Sequence, residues 1–571
     1  MLASLSELER HQPILVPLLA HHKATKKKVF LDENIPFGNT DIFYLYGIHV
    51  GYNWRDCESW LKNPKHYLVI LEDDLDALYA SLKVSEIQSL LRHPQVFLRY
   101  IFDNEPFKEL HELAWIFLDK SYSIYCSKTK EVKKSKEIAS RIEWLSVWIN
   151  YLAWGDLESN HVFFSNFFEN LYTLGSAKDG SYLERSFSKI PAIICGAGPS
   201  IEKDINYLKT LDNKALIMAG GSAINVLTAA GVQPHLTLGL DPTEEEVFRF
   251  QTNRSFEHPF FYRMRLFPRS LDYVHARKVY LPGQGWYQIE KDVDEKYCQK
   301  ILPLYEGVSV TCLACELAVH LGCDPIILLG CDLSYVEKKR YARGVGNIVD
   351  SQSSFEHVPW FHPVDREGKS SQWKWIIESK VLSHMVHGQK RHFINASELG
   401  LKIDNFENIS LRDISFTKNL DLRGRLHSIL EQASGVCINK QKAVDFLTTL
   451  KRSCDRCTHL IQEINEDLLL CLETGKSIET NPEIALKEHS LQEEVVYKGI
   501  LTSFCDTLDR KHQYSLLQIE KEKNLKLRAY RKIYVRVNEL LFLLGELEKL
   551  EQMIETTLCR QSKENSSDMS S

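Results

Sequence analysis

No window of this chain approaches about 18 uninterrupted apolar residues, so none of it reads as a transmembrane helix. Its first residues, Met1 to Arg10, lack a basic stretch followed by an apolar core. The sequence therefore does not open as a secretory leader, and the expected compartment is the cytoplasm. Positive charge is not in excess either: 70 Lys and Arg stand against 76 Asp and Glu, for a net charge of −6. That balance gives no global electrostatic reason to expect a nucleic-acid partner. The short run Lys23, Lys26, Lys27 and Lys28 reads as a solvated surface segment. The 14 cysteines are scattered, many of them in apolar runs. They read as buried free thiols of a reducing compartment. Cys312/Cys315 and Cys454/Cys457 have the spacing of zinc-ligand pairs, but both lie in helical stretches, and core packing is the better reading. A P-loop is missing as well, and no complete Gly-x-Gly-x-x-Gly dinucleotide fingerprint is present.

The composition, 44% hydrophobic and 26% charged, is that of an ordinary globular protein. With 571 residues the chain exceeds a single core, and about 150 residues per domain suggests three or four domains. Residues 42–46 and 67–71 read as buried strands, separated by the Gly47/Gly51 turn and a helical stretch, and the second ends in Glu72. This is the opening of an open α/β sheet. Residues 75–185 read as mostly helical, and 175–180 as a turn-rich boundary. From 190 onward, strands at 191–195, 214–219, 235–240, 278–281 and 325–329 alternate with helices at about 201–211, 222–230 and 310–322. Such alternation implies a parallel sheet with right-handed crossovers. Residues 333–372 have no such rhythm and read as a long loop or lid. Beyond 420 the chain reads as helical, with Leu540, Leu544, Leu547, Leu550, Ile554 and Leu558 on one face. That face suits an intrachain bundle or a homo-oligomer seam.

The fold class expected is α/β. A smaller N-terminal α/β and helical domain (1–185) precedes a central Rossmann-like parallel-sheet domain (188–415). A helical C-terminal domain (420–560) and a disordered polar tail (561–571) follow. The chemistry gathers where the central strands end. The first runs into Cys195-Gly-Ala-Gly-Pro-Ser200, and the second into Gly220-Gly221-Ser222. The third runs into Gly239-Leu-Asp241, and the fifth into Gly330-Cys-Asp332. Open parallel sheets bind ligands outside the carboxyl ends of their strands. Glycine turns there let a phosphate approach backbone amides. The acids Asp241 and Asp332 could serve a ribose, a metal or a proton, or simply cap turns. In the lid, His357 and His362 are candidate bases or plain loop residues.

These motifs arrive in a familiar order. They are 194–201; Gly221-Ser-Ala with 234–241; Ser309-Val-Thr311 with 321–335; and 393–398 with 406–411. Together they resemble the motility accessory factor family of bacterial proteins, whose central domain is shared with the archaeal 6-hydroxymethylpterin pyrophosphokinases. Residues 44–90 are similar to that family's N-terminal domain. The resemblance implies one of two transferase chemistries. The first moves a sugar, such as a nonulosonic acid from a CMP-activated donor, to a Ser or Thr hydroxyl of a protein acceptor. The second transfers pyrophosphate from ATP with magnesium to a pterin-like alcohol. It also implies that Gly196, Gly198, Pro199 and Ser200 hold the donor phosphate, with Gly221 and Ser222 beside them. Asp241 and Asp332 would stand at the reacting end near Ser309 and Thr311, with His362 a further catalytic candidate. No metal ligand is assigned by the glycosyltransferase reading. Cys331 before Asp332, and Leu399-Gly400 in place of a glycine pair, depart from the family pattern. A non-catalytic nucleotide-binding scaffold is the third expectation.

Overall fold

The computed structural model describes Leu8 and residues 11–22, 34–48, 54–102, 108–251, 257–345, 361–474, 481–520 and 522–568. His357, Gly51 and the Lys23–Lys28 run lie outside these residues. The chain divides into two compact units. One comprises 1–154 with 509–518, and the other 155–508 with 519–571. Helix Asn160–Thr173, within the stretch 1–185 read as the N-terminal domain, belongs to the second unit, where it packs against Lys440–Thr474 and Leu525–Asp568.

The first unit contains β1 (Ile42–Tyr46), β2 (Tyr67–Glu72), β3 (Val96–Tyr100) and β4 (Tyr122–Cys126). They form a fully parallel sheet of order β3-β2-β1-β4. Two of these strands fall inside the stretch expected to be helical. β3 interrupts its apolar run with Arg99, and β4, Tyr-Ser-Ile-Tyr-Cys, is broken by Ser123 and only half-buried, so neither shows the continuous apolar signature of a buried strand.

The second unit is built on β5 (Lys178–Asp179), β6 (Ala192–Cys195), β7 (Leu216–Gly220), β8 (Leu236–Gly239), β9 (Phe260–Tyr262), β10 (Lys278–Tyr280) and β11 (Ile326–Leu329). A hairpin, β12 (Pro363–Arg366) and β13 (Lys369–Gln372), follows, and then β14 (Phe393–Asn395) and β15 (Glu407–Asn408). The main sheet has nine strands, in the order β15-β14-β11-β6-β7-β8-β9-β10-β5. Every pairing in it is parallel. The chain steps outward from β6 to β10, then returns to the other side of β6 for β11. The point of reversal therefore lies between β6 and β11. Both faces of these strands are buried, which is why they read as unbroken apolar runs.

Helix Val310–Leu321 packs on β6, β7, β8 and β11. It starts at Ser309, whose hydroxyl accepts from Cys312 N, and stops at Gly322 in the left-handed conformation. The expected helix at 201–211 is broken into short pieces, Pro199–Lys203, Ile205–Leu208 and Lys209–Leu211. The stretch read as a lid is partly structured as the β12–β13 hairpin. It is held down by Tyr335 N donating to Ser370 O (2.8 Å) and by Ser371 Oγ donating to Leu333 O (2.7 Å). Beyond 420 the chain is helical as expected. The last helix continues to Asp568, past the position where the sequence reads as a disordered tail. Cys312, Cys315, Cys454 and Cys457 are all buried free thiols. Among the described residues no helix is long and apolar enough to cross a membrane.

Candidate functional site

Because every central strand is parallel, all their carboxyl ends face one edge. The four strand ends singled out in the sequence come to that edge, and the two glycine turns among them are in different states.

The glycine turn at the reversal point is closed by the protein itself. Gly196 N donates to Leu329 O (2.7 Å) and Gly198 N to Gly330 O (2.8 Å). Ser200 N donates to Asp332 Oδ2 (2.9 Å), and the Ser200 hydroxyl donates to Asp332 Oδ1. Asp332 is 2% exposed. Burial raises its carboxyl above the ordinary range, and the two Ser200 bonds oppose that shift. The amides expected to face a donor phosphate at Gly198 and Ser200 thus face Gly330 and an internal carboxylate. Asp332 stands where an external anion would. Pro199 opens a five-residue 3-10 helix here, not a full α-helix.

The second glycine turn is open. Gly221, at φ +52°, starts helix Ser222–Ala229 and, having no side chain, offers its first-turn N–H groups no N-cap acceptor. A Cβ on Gly221 would sit 3.8 Å from Val310, which ties this turn to the start of helix Val310–Leu321. There the Ser309 hydroxyl donates to Glu378 Oε1 (2.7 Å), and Thr311 hydrogen-bonds the same carboxylate. Burial pushes the Glu378 carboxyl up, with Ser309, Thr311 and Lys374 opposing.

Lys374 lies one turn before Glu378 on helix Trp373–Val386. Its ammonium sits 4.4 Å from the centre of the Phe361 ring. Burial, then the Arg340 guanidinium, brings its pKa down to about 7, against the pull of Glu378 and Asp241. Asp241 therefore belongs to the same electrostatic neighbourhood. Its Oδ2 accepts from Arg249 (2.7 Å), and its Oδ1 accepts from the Thr243 hydroxyl (2.8 Å). Burial works against ionisation of Asp241, but Arg249 and Thr243 outweigh it and hold the carboxyl low. The loop carrying it is clamped from below by Asn166, whose amide donates to Pro242 O (2.8 Å) and Arg265 O (2.9 Å).

Glu246 completes the cluster. It is 1% exposed and accepts from Arg249 (2.5 Å), while its other oxygen is buried without a hydrogen-bond partner. Burial lifts its pKa to about 7. The folded chain therefore holds this proton up to about pH 7, whereas the unfolded chain releases it near its ordinary 4.5. Between those values the native state binds more protons, so this group's contribution to stability falls as pH rises. Glu246→Gln should remove that slope. Relative to wild type, the variant should gain up to about 3 kcal/mol between pH 5 and pH 8, read by urea unfolding at both values.

Ser309 and Thr311 thus meet on Glu378, Gly221 lies against the start of the same helix at Val310 with Ser222 following it, and Asp241 acts electrostatically on Lys374. Gly196, Gly198, Pro199, Ser200 and Asp332 form a separate closed turn. His362 lies exposed at the foot of the hairpin, with its carbonyl accepting from Trp373 N (3.3 Å). Sequence reasoning missed Lys374, Glu378, Arg249 and Glu246. The available signal was Lys374 and Glu378 at four-residue spacing around the aromatic and aliphatic run Trp375-Ile-Ile377, where buried charge calls for a partner.

A neighbouring buried network shapes the end of β9. Arg263, with no exposed surface, is ringed by Glu290 (3.3 Å), Glu306 (3.3 Å) and Asp294 (3.8 Å). Burial lifts Glu290 to about 7 and Asp294 to about 6.

Comparison with known proteins places these elements. Residues 165–338 match the family model of the 6-hydroxymethylpterin diphosphokinase MptE-like domain. The match runs from helix Asn160–Thr173 through the loop after β11, and includes both glycine turns, Asp241, Ser309, Thr311 and Asp332. Lys374 and Glu378 lie beyond it. That stretch of the chain is therefore similar to the MptE-like family, the kinship its motifs pointed to. No curated protein matches the chain. Among solved structures, one of a MAf glycosyltransferase from Magnetospirillum magneticum AMB-1 is similar over 91% of this chain and 78% of that one, at 15% identity and a TM-score of 0.48.

Proposed function

We propose that the chain is a transferase that moves a sugar from a nucleotide-linked donor to a hydroxyl of a protein acceptor. A CMP-activated nonulosonic acid is the donor that the resemblance of its motifs favours. The observation that carries the reading is the buried cluster in which Glu378 accepts from Ser309 one turn from Lys374, with Asp241 and its partner Arg249 in the same electrostatic neighbourhood. Lys374 and the uncapped first turn of Ser222–Ala229 supply positive charge to the departing phosphate. Glu378, raised by burial and oriented by Ser309 and Thr311, accepts the proton of the attacking hydroxyl.

The family match over 165–338 favours a second reading, pyrophosphoryl transfer from ATP. That chemistry calls for carboxylates presented to magnesium. Here Asp241 is paired with Arg249, and Asp332 is bonded by both oxygens to Ser200. The residues expected to hold the metal are thus already engaged, and no step is assigned to it.

A thermal-shift series with CMP, UDP and ATP, with and without magnesium, tests the choice. A ligand at 100 times its Kd stabilises by about 2.7 kcal/mol. A metal-independent shift with CMP is the expected result. A shift seen only with ATP and magnesium would replace glycosyl transfer with pyrophosphoryl transfer.

A further inference from the structure

The first unit has its own point of reversal. Its chain steps from β1 to β2 to β3 in one direction, then places β4 on the other side of β1. In open parallel sheets the crevice at such a point, at the carboxyl ends, is where ligands sit. A cavity of about 460 Å³ opens there. This lies within the roughly 300–1,000 Å³ typical of small-molecule sites.

Its walls are held in place from behind. Glu72, with no exposed surface, accepts from the backbone N–H groups of Ile48 (2.8 Å), Asp73 (2.8 Å) and Asp74 (2.7 Å), and from the Lys130 ammonium. Lys130 in turn donates to Asp73 Oδ1 (2.6 Å) and lies 5.0 Å from the centre of the Tyr46 ring. Asp73 also accepts from the Tyr46 hydroxyl (2.8 Å) and pairs with Lys134. On the far wall, His22 and Asp76 are joined at 2.7 Å. Two turns and one strand end are therefore locked together before any ligand arrives.

The lining decides what fits. It carries the carboxylates of Asp73, Asp74, Asp76 and Glu131 against the ammoniums of Lys130 and Lys134. The two ammoniums already face Asp73 and Glu72. An excess of carboxylate repels a phosphate. Donors and acceptors alternating around a small polar cavity suit hydroxyl groups, each of which both donates and accepts. A vicinal diol can bond a carboxylate and an ammonium at once.

We propose that the N-terminal unit holds a second small-molecule site, for a ligand that presents vicinal hydroxyls and no net negative charge. Ribose in a nucleoside and a free pyranose share that chemistry. The inference stands on this cavity alone and does not depend on the proposed transferase activity.

The test is calorimetry on the full-length chain with cytidine, adenosine, their 2′,3′-dideoxy forms, mannose and galactose. Binding by at least one diol probe is expected at a Kd of about 10 μM to 1 mM. Loss of affinity by tenfold or more in the dideoxy forms would assign a ribose, and binding by the hexoses would assign a pyranose. Thr129→Trp fills the rim from an exposed position and should abolish binding. Asp74→Asn keeps the cap of helix Leu75–Ser81 and should weaken binding at least fivefold. The proposal is overturned if none of these probes binds, if dideoxy and ribose forms bind equally with no hexose binding, or if binding survives Thr129→Trp.

Discussion

Lys374→Met should lower donor-nucleotide affinity and transfer rate by about 100-fold or more, close to 3 kcal/mol, while leaving the protein as stable as before or more so. The two effects separate because Lys374 is costly to the fold. Its pKa of about 7, against an ordinary 10.5, means that the folded state disfavours the ammonium. Between pH 7 and 10.5 the unfolded chain holds the proton that the native chain has released, so native stability rises across that window. At pH 7 and below, the wild type bears the cost of a desolvated cation, and methionine, of similar length, removes it. The bound donor reverses the balance by bringing a phosphate to that ammonium. Donor affinity should therefore fall as pH rises through 7 in the wild type and be flat in the variant. Calorimetry in buffers of different ionisation enthalpy should show proton uptake on binding near pH 7.5 in the wild type alone. A variant that binds CMP as the wild type does would remove Lys374, and with it the cluster, from the proposed site.

Gly198→Val should prevent stable folding rather than merely weaken nucleotide binding. A Cβ at this position would stand 2.4 Å from Asp332 Oδ2, 2.6 Å from Asp332 Cγ and 2.7 Å from Gly330 O. None of these can move cheaply. Asp332 is buried and holds both donors of Ser200, and Gly330 O is backbone that accepts from Gly198 itself. Displacing Asp332 leaves a buried carboxylate and the Ser200 N–H without partners, at about 1–3 kcal/mol for each group in addition to the steric strain. A loss of more than about 4 kcal/mol, seen as insolubility or as a collapse of the urea midpoint, is expected. At Gly221 the obstacle is the backbone, since φ +52° disfavours a side chain there and, among the described residues, nothing lies closer than 3.8 Å. With ψ −132° the backbone is outside the left-handed helical region, and Gly221→Ala should cost about 1–3 kcal/mol and leave a folded protein. If Gly198→Val folds normally and loses only nucleotide binding, the turn is a phosphate cradle after all.

These two glycines show how far the sequence can be read. Both announce a strand-to-helix turn at the carboxyl edge, and the strands before them are legible because strands buried on both faces must be apolar throughout. Nothing local distinguishes a turn that waits for an anion from one that already holds an internal carboxylate. That difference arises because β11 returns to lie beside β6 and brings Asp332 to Ser200 across 132 residues of chain. Lys374 was hidden for a related reason. Trp373-Lys-Trp-Ile-Ile-Glu378 follows directly on the stretch read as a lid and carries no motif of its own; only when its helix is set against Ser309 do the lysine and glutamate acquire partners. The missed strands were those whose pattern is broken by function or brevity. β9 and β14 have three residues each, and β3 carries Arg99, which reaches back to His11 O (2.5 Å).

The packing of Asn160–Thr173 against the last helices sets the order in which the protein can be completed during synthesis. That early helix carries Phe163, Phe164, Phe167 and Phe168, all buried in the same core as Leu540, Leu543, Leu547 and Ile554. At about 5–20 residues per second, a ribosome takes on the order of tens of seconds to travel between the two segments. Through that interval the four phenylalanines are outside the exit tunnel without the part of their cover that the last helix supplies. The nascent central sheet is thus a natural client for holding chaperones. Release before the final helix emerges should yield an aggregating fragment, even though every residue of the MptE-like stretch has already been made.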